Sequence, residues 1–284
     1  MMQQEPQDKL APWQQNEIYG HYRASEYLSL KVSSYFQVYE ELLARYRNRR
    51  ITFVEVGVFN GGSLFMWRSY FGPEARIIGI DLNPAAKKWE QEGFEIHIGS
   101  QSDPQFWERF FAAVGEVDVL LDDGGHTNEQ QIITVEQCLP HIRDGGLLLV
   151  EDVHASYLPS FGNPSRYSFV NYAKRMVDSC INARFPGLRP SANPFRDVVY
   201  AISFYESMVC YRVDRTKCFT SQVVSNAGIS SNAVDFVYDA RLSQILSDGL
   251  TALFRPLGIK VSARRFFRAF ENFAINRRIA KYFR

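Results

Sequence analysis

The chain has 284 residues, 32 Lys+Arg against 31 Asp+Glu, 46% hydrophobic and 22% charged residues, and four cysteines. These are the proportions of an ordinary water-soluble fold, and they exclude intrinsic disorder, a collagenous repeat and a disulfide-stapled miniprotein. The net charge of +1 conceals a division: residues 255–284 carry nine Lys+Arg against Glu271 alone, which leaves the rest with 23 basic and 30 acidic residues.

No apolar run approaches the roughly 20 residues that a membrane-spanning helix needs, and the polar opening MMQQEPQDKL predicts no signal peptide. Cys138, Cys180, Cys210 and Cys218 show no CxxC spacing, so they read as reduced, mostly buried thiols of a cytoplasmic protein.

Helical spacing of Phe36, Tyr39, Leu42 and Leu43 predicts a helix over 33–47. The apolar run 51–58 predicts a buried strand, followed by a glycine cluster and a helix carrying Phe65, Met66 and Trp67. Further strands are expected at 75–82, 94–100, 117–123 and 145–153, with a helix at 129–142 before the last of them. Strands apolar on both faces and alternating with helices imply a mostly parallel sheet covered on both sides, a doubly wound α/β domain. Beyond 154 the pattern predicts a helix at 165–185, a proline-bearing loop at 186–197 and a closing antiparallel hairpin at 198–213. Residues 214–232 read as irregular, and two helical stretches near 233–254 and 262–284 finish the chain. The expected organisation is a helical segment over 1–48, a Rossmann-like seven-stranded domain over 49–213 and a helical extension over 214–284.

The segment FVEVGVFNGGS at 53–63 is a strand, a Gly-rich turn and a helix start. Its G-x-x-x-G-G spacing differs from the G-x-G-x-x-G of dinucleotide folds. Glu55 would repel a pyrophosphate but attract the ammonium group of an amino-acid-like ligand. Asp81, 24 residues after Gly57, ends the second strand, where a carboxylate can accept ribose hydroxyls. The loop and this acid resemble motif I and the ribose-binding acid of class I S-adenosylmethionine-dependent methyltransferases. The resemblance implies a cofactor site made by Glu55, Gly57, Asn60, Gly61, Ser63 and Asp81, with Ser100 and Gln101 at the adenine side.

The fourth strand ends Asp122-Asp123-Gly124-Gly125-His126 and the fifth ends Glu151-Asp152-Val153-His154. Neighbouring parallel strands bring both ends to one crevice, where like charges are costly unless a cation neutralises them or protons are taken up. Oxygen ligands without thiolate favour Mg²⁺, with Mn²⁺ or Ca²⁺ as close chemical alternatives. Asp122 is the acid expected to cap the following helix or to bridge cofactor and loop. Histidine titrates near pH ~6.5, so His126 on the same turn can take a proton from a hydroxyl. His21, His97 and His141 read as structural, and His154 as open.

D-G-x-H followed, 28 residues after its Asp, by Glu-Asp is similar to the Mg²⁺-dependent sugar O-methyltransferases of natural-product pathways, a group that includes rhamnosyl O-methyltransferases and cephalosporin hydroxylase-like proteins. The resemblance covers about residues 33–213. It implies Asp123, Glu151 and Asp152 as metal ligands, His126 as base, and a sugar-containing or polyol acceptor. A vicinal diol suits such chemistry, because two adjacent hydroxyls can chelate one cation. Two departures stand out: the Asp-Lys…His pattern of the macrolide enzymes is not evident around 21–39, and the last 70 residues have no counterpart.

A NAD-dependent sugar oxidoreductase or epimerase is the competing class, disfavoured by the glycine spacing and by the lack of a Tyr-x-x-x-Lys pair. A membrane-tethered binding protein without catalysis is a third. The basic stretch 263–284 sets Phe266, Phe270 and Phe273 in a stripe flanked by Arg264, Arg265, Arg268, Arg277, Arg278, Lys281 and Arg284. Packing on its own domain or on a second copy is the preferred expectation, and peripheral contact with an anionic membrane at the inner face is the other. No nucleic-acid partner is expected, since no basic patch accompanies the acidic body.

Overall fold

The computed structural model describes residues 10–162, 164–188, 191–229, 242–254, 256 and 264–283. It divides into two units, Met1–Gln222 and Val223–Arg284.

The first unit is built on a seven-stranded sheet. Its strands are β1 Thr52–Val56, β2 Arg76–Asp81, β3 Glu95–Ile98, β4 Val117–Asp122, β5 Ile142–Val150, β6 Val199–Tyr205 and β7 Met208–Val213, in the order β3-β2-β1-β4-β5-β7-β6. The first five run parallel, while β7 pairs antiparallel with β5 and with β6. Six helices cover it: α1 Glu17–Ala24, α2 Tyr35–Leu43, α3 Gly62–Phe71, α4 Pro104–Val114, α5 Asn128–Cys138 and α6 Phe169–Met176.

Successive strand residues supply opposite cores. Phe53, Val119, Leu121, Leu147 and Leu149 face a cluster with α2 and α3, which also takes in Ile18 of α1. Val54, Val56, Leu120, Leu148 and Val150 face one with α4, α5 and α6. The two largest fully buried side chains, Trp67 and Trp107, lie one in each cluster.

The strands and the hairpin lie where the apolar runs put them. The expected helix over 165–185 is α only to Met176, then a wider π turn over Val177–Ile181 and a 3₁₀ turn over Asn182–Arg184. Helices α1 and α4 were not anticipated. The start of α4 is set by Asp103, whose side chain accepts from Gln105 N, with Pro104 at the first helical position. Cys138, Cys180 and Cys210 are buried, Cys218 is half-buried, and all four are free.

The second unit contains helices Leu242–Phe254 and Arg264–Ile279, which lie against each other, and a 3₁₀ turn over Ala280–Phe283. Of the expected helix at 233–254, residues 233–241 lie outside the described residues, as does Pro190 of the expected loop. The side chains of Phe266, Phe270, Arg264, Arg265 and Arg268 also lie outside them, and Phe273, Tyr282 and Phe283 are exposed. Among the described residues no helix is long and apolar enough to cross a membrane.

Strand order reverses between β1 and β4, and open α/β sheets bind ligands outside the carboxyl ends of the strands at such a point. Val56 at the end of β1 is in register with Asp122 at the end of β4. Gly57 follows at φ +92°, and a Cβ there would stand 2.2 Å from the Asp123 carbonyl oxygen. Only glycine lets the two strand ends approach this closely.

Candidate active site

A cavity of about 740 Å³ opens at that edge, inside the range of roughly 300–1,000 Å³ usual for small-molecule sites. Gly57, Asn60, Ser63, Asp81, Ser100 and Gln101 line it together with Asp123, His126 and Asp152. Three expected cofactor residues sit behind the wall. Glu55 is fully buried and accepts from Ser63 Oγ at 2.6 Å and Trp67 Nε1 at 3.0 Å, so α3 claims the carboxylate that the sequence reading offers to a ligand ammonium. Gly61, at φ +81°, is pressed against the Trp89 ring. Asp122 is buried and accepts from Gln101 Nε2 at 2.9 Å and Gly124 N at 3.2 Å. Burial pushes the carboxyls of both Glu55 and Asp122 up.

Asp81 Oδ2 accepts from the amides of Val58 at 2.9 Å and Phe59 at 3.2 Å, and Oδ1 from Asn83 N at 2.7 Å. The acid is thereby fixed at the cavity wall with capacity left to accept from a ligand hydroxyl. Asp81→Ala is expected to weaken binding of an adenosyl cofactor by about 10–100-fold, the value of one or two hydrogen bonds to a charged acceptor; calorimetry checks this, and an unchanged Kd would remove Asp81 from the ligand contacts.

The acid cluster forms across β4 and β5. Asp123, His126 and Asp152 each offer a ligand atom within 4.8 Å of the others. His126 Nε2 lies 3.3 Å from Asp152 Oδ2, and His126 Nδ1 is buried with no hydrogen-bond partner. Glu151 is fully buried instead: Tyr39 OH donates to Oε1, and Lys31 Nζ donates to Oε2 at 3.0 Å. Tyr35 OH donates to Asp152 Oδ1 at 2.6 Å. The β6–β7 turn closes the far side, where Val153 N donates to Ser207 O at 3.1 Å and Tyr35 OH reaches Ser207 Oγ at 3.0 Å.

Four non-glycine residues around this site adopt positive φ: Phe59 (49°), His126 (58°), Asp152 (53°) and Ser207 (57°). Such conformations cost about 1–3 kcal/mol each and concentrate where side chains must be aimed rather than merely packed.

Lys31 is the residue that sequence reasoning missed. Its ammonium donates to Asp123 Oδ2 at 2.5 Å and Glu151 Oε2 at 3.0 Å, and stands 3.6 Å from Glu55 Oε1. Burial works against its charge, but Asp123 and Glu151 outweigh that and hold its pKa well above that of a free lysine. Burial also pushes the Glu151 carboxyl up to about 8 against the pull of Lys31. Both directions describe one coupled cluster, in which burial opposes charge on each group and the opposite charges of Lys31 and the acids favour it.

The remaining histidines have structural partners. His21 Nδ1 meets Ser69 Oγ at 2.7 Å, His97 pairs with Glu95, and His141 stacks on Phe111 at 4.0 Å. The exposed His154 contacts Ser207 Oγ.

Residues 54–153 match the family model described as "Methyltransferase domain". This stretch resembles that family over about a third of the chain. Sequence relatives include the 8-demethyl-8-alpha-L-rhamnosyl tetracenomycin-C 2'-O-methyltransferase of Streptomyces olivaceus, 31% identical over 62% of this chain and 49% of that protein. Another is the mycinamicin VI 2''-O-methyltransferase of Micromonospora griseorubida, 34% identical over 55% of this chain and 41% of that one. The chain thus spans about half or less of the length of the curated relatives it matches. The fold is shared with the MycE methyltransferase from the mycinamycin biosynthetic pathway, solved with Mg and SAH, at a TM-score of 0.62 and 23% identity over 79% of this chain and 58% of that one. The same protein is also solved with Mg, SAH and mycinamycin VI.

Proposed function

We propose that the chain is an S-adenosylmethionine- and divalent-metal-dependent O-methyltransferase acting on a hydroxyl of a sugar-containing or polyol acceptor. The observation that carries this reading is the convergence of Asp123, His126 and Asp152 in the same cavity that Gly57 and Asp81 line. The cofactor fits that edge: the glycine turn admits close backbone approach and Asp81 is fixed to receive ribose hydroxyls. A hard cation fits the acid wall, since its donors are carboxylate oxygens without thiolate, and the unpartnered His126 Nδ1 stands beside them to take a proton.

When bound, the cofactor supplies an electrophilic methyl group, and a divalent cation held by Asp123 and Asp152, with Glu151 behind them, lowers the pKa of an acceptor hydroxyl. The chain's own residues do the rest. The two carboxylates orient the acceptor's oxygen toward the methyl group, and His126 would accept the hydroxyl proton as the C–O bond forms and the sulfonium C–S bond breaks, its electron pair leaving with S-adenosylhomocysteine. Asp152, 3.3 Å from Nε2, stabilises the imidazolium that results. Sugar O-methyltransferase names among the relatives support the acceptor class.

Incubation with S-adenosylmethionine and a panel of glycosides should add one methyl group to at least one acceptor, stop in excess EDTA and resume with Mg²⁺ or Mn²⁺. Calorimetry should show binding of S-adenosylhomocysteine and none of NAD. Undiminished transfer in EDTA would sink the metal, and NAD binding alone would sink the reaction.

A further inference from the structure

Three donors reach three acids from one short stretch of chain. Lys31, Tyr35 and Tyr39 are spaced four residues apart, and they contact Asp123, Asp152 and Glu151 respectively. Tyr35 and Tyr39 sit one turn apart on the same face of α2, and Tyr35 N donates to Val32 O in the turn that brings Lys31 in front of them. All three lie before residue 54, outside the stretch that matches the methyltransferase domain.

We propose that Lys31, Tyr35 and Tyr39 are positioning residues, a donor ladder that sets the spacing and rotation of the three acids for the divalent cation and makes the segment before β1 part of the catalytic centre. This rests on the metal-dependent reading above. The electrostatics require such a device. Like charges gathered this closely are costly unless a cation neutralises them, and Glu55, Asp123 and Glu151 all lie within 3.6 Å of one ammonium. The Lys31 side chain is only 1% exposed, so this contact is built into the interior rather than swept from the surface. The phenols matter in the same way: each donates its O–H to a carboxylate oxygen and so restrains that carboxylate from turning. Groups that orient metal-binding side chains typically govern affinity by 10–100-fold when removed.

The ladder has two signatures that core packing alone does not produce. Tyr35→Phe removes one oxygen and leaves the ring, so it should weaken Mn²⁺ binding, read by electron paramagnetic resonance, by about 10–100-fold while S-adenosylhomocysteine affinity stays within about threefold. Lys31→Met removes a positive charge touching Asp123, so Mn²⁺ should bind at least as tightly while methyl transfer falls about 100-fold or more; Lys31→Arg should restore part of that rate. Thermal melting and S-adenosylhomocysteine binding report whether each variant folds, and Tyr35→Phe decides alone if Lys31→Met does not. Mn²⁺ affinity within about threefold of the parent in Tyr35→Phe, or a parental rate in Lys31→Met, overturns the ladder. A parent protein that binds no Mn²⁺ overturns the metal reading beneath it, which is a separate result.

Discussion

Asp152→Asn is expected to cut methyl transfer by about 10³-fold or more, the equivalent of roughly 4 kcal/mol of transition-state stabilisation, while the cofactor still binds. The substitution isolates charge from shape. Asp152 sits at φ +53°, a left-handed conformation that Asn accepts and most other residues resist, so the backbone has no reason to move. Asn keeps an oxygen to accept from Tyr35 OH, as Asp152 Oδ1 does at 2.6 Å. What disappears is the negative charge that faces the cavity and pairs with His126. Single-turnover transfer and S-adenosylhomocysteine calorimetry on the same sample make the test. Near-parental turnover with excess Mg²⁺ would show that Asp152 holds no cation, and a loss of cofactor affinity would place it on the other side of the site.

His126→Asn should lower turnover by about 10²–10⁴-fold, the range usual for removal of a positioned general base. Here too the residue is chosen for its backbone: His126 has φ +58°, which Asn tolerates. The flanking structure is anchored independently, by Gln101 Oε1 accepting from Gly125 N and by the reciprocal Thr127–Gln130 cap of α5. The loop therefore survives loss of the imidazole, and the measured change reports proton transfer. Rates within threefold of the parent across the pH range would assign His126 to aiming Asp152 rather than to taking a proton.

The parallel strands are readable in advance because both faces of each are buried, and burial on two faces leaves an uninterrupted apolar run. The acids at their ends are readable for the complementary reason: a carboxylate straight after such a run stands at the ligand-binding edge whatever else the chain does. Helix α4 carries a signal in its own sequence, with Asp103-Pro104 opening it and Phe106, Trp107, Phe110 and Phe111 on one side. Helix α1 carried almost none, since only Ile18 of its eight residues is buried. Glu55 shows where local logic is overruled. Its place beside a glycine loop suggests a ligand contact, but α3 folds back on β1 and brings Ser63 and Trp67 to it first. Lys31 is the extreme case: its partners lie 92 and 120 residues away, and nothing in the sequence around a single lysine between Leu30 and Val32 announces them.

Ser207, in the tight turn that joins the last two strands, holds Val153 and Tyr35 and so braces the Glu151–Asp152 pair from the far end of the first unit. With Lys31 bracing it from the near end, the span that matches the methyltransferase family model is a module whose acid wall is completed by its flanks. Grafting that module onto another scaffold should therefore transfer cofactor binding without transferring the chemistry.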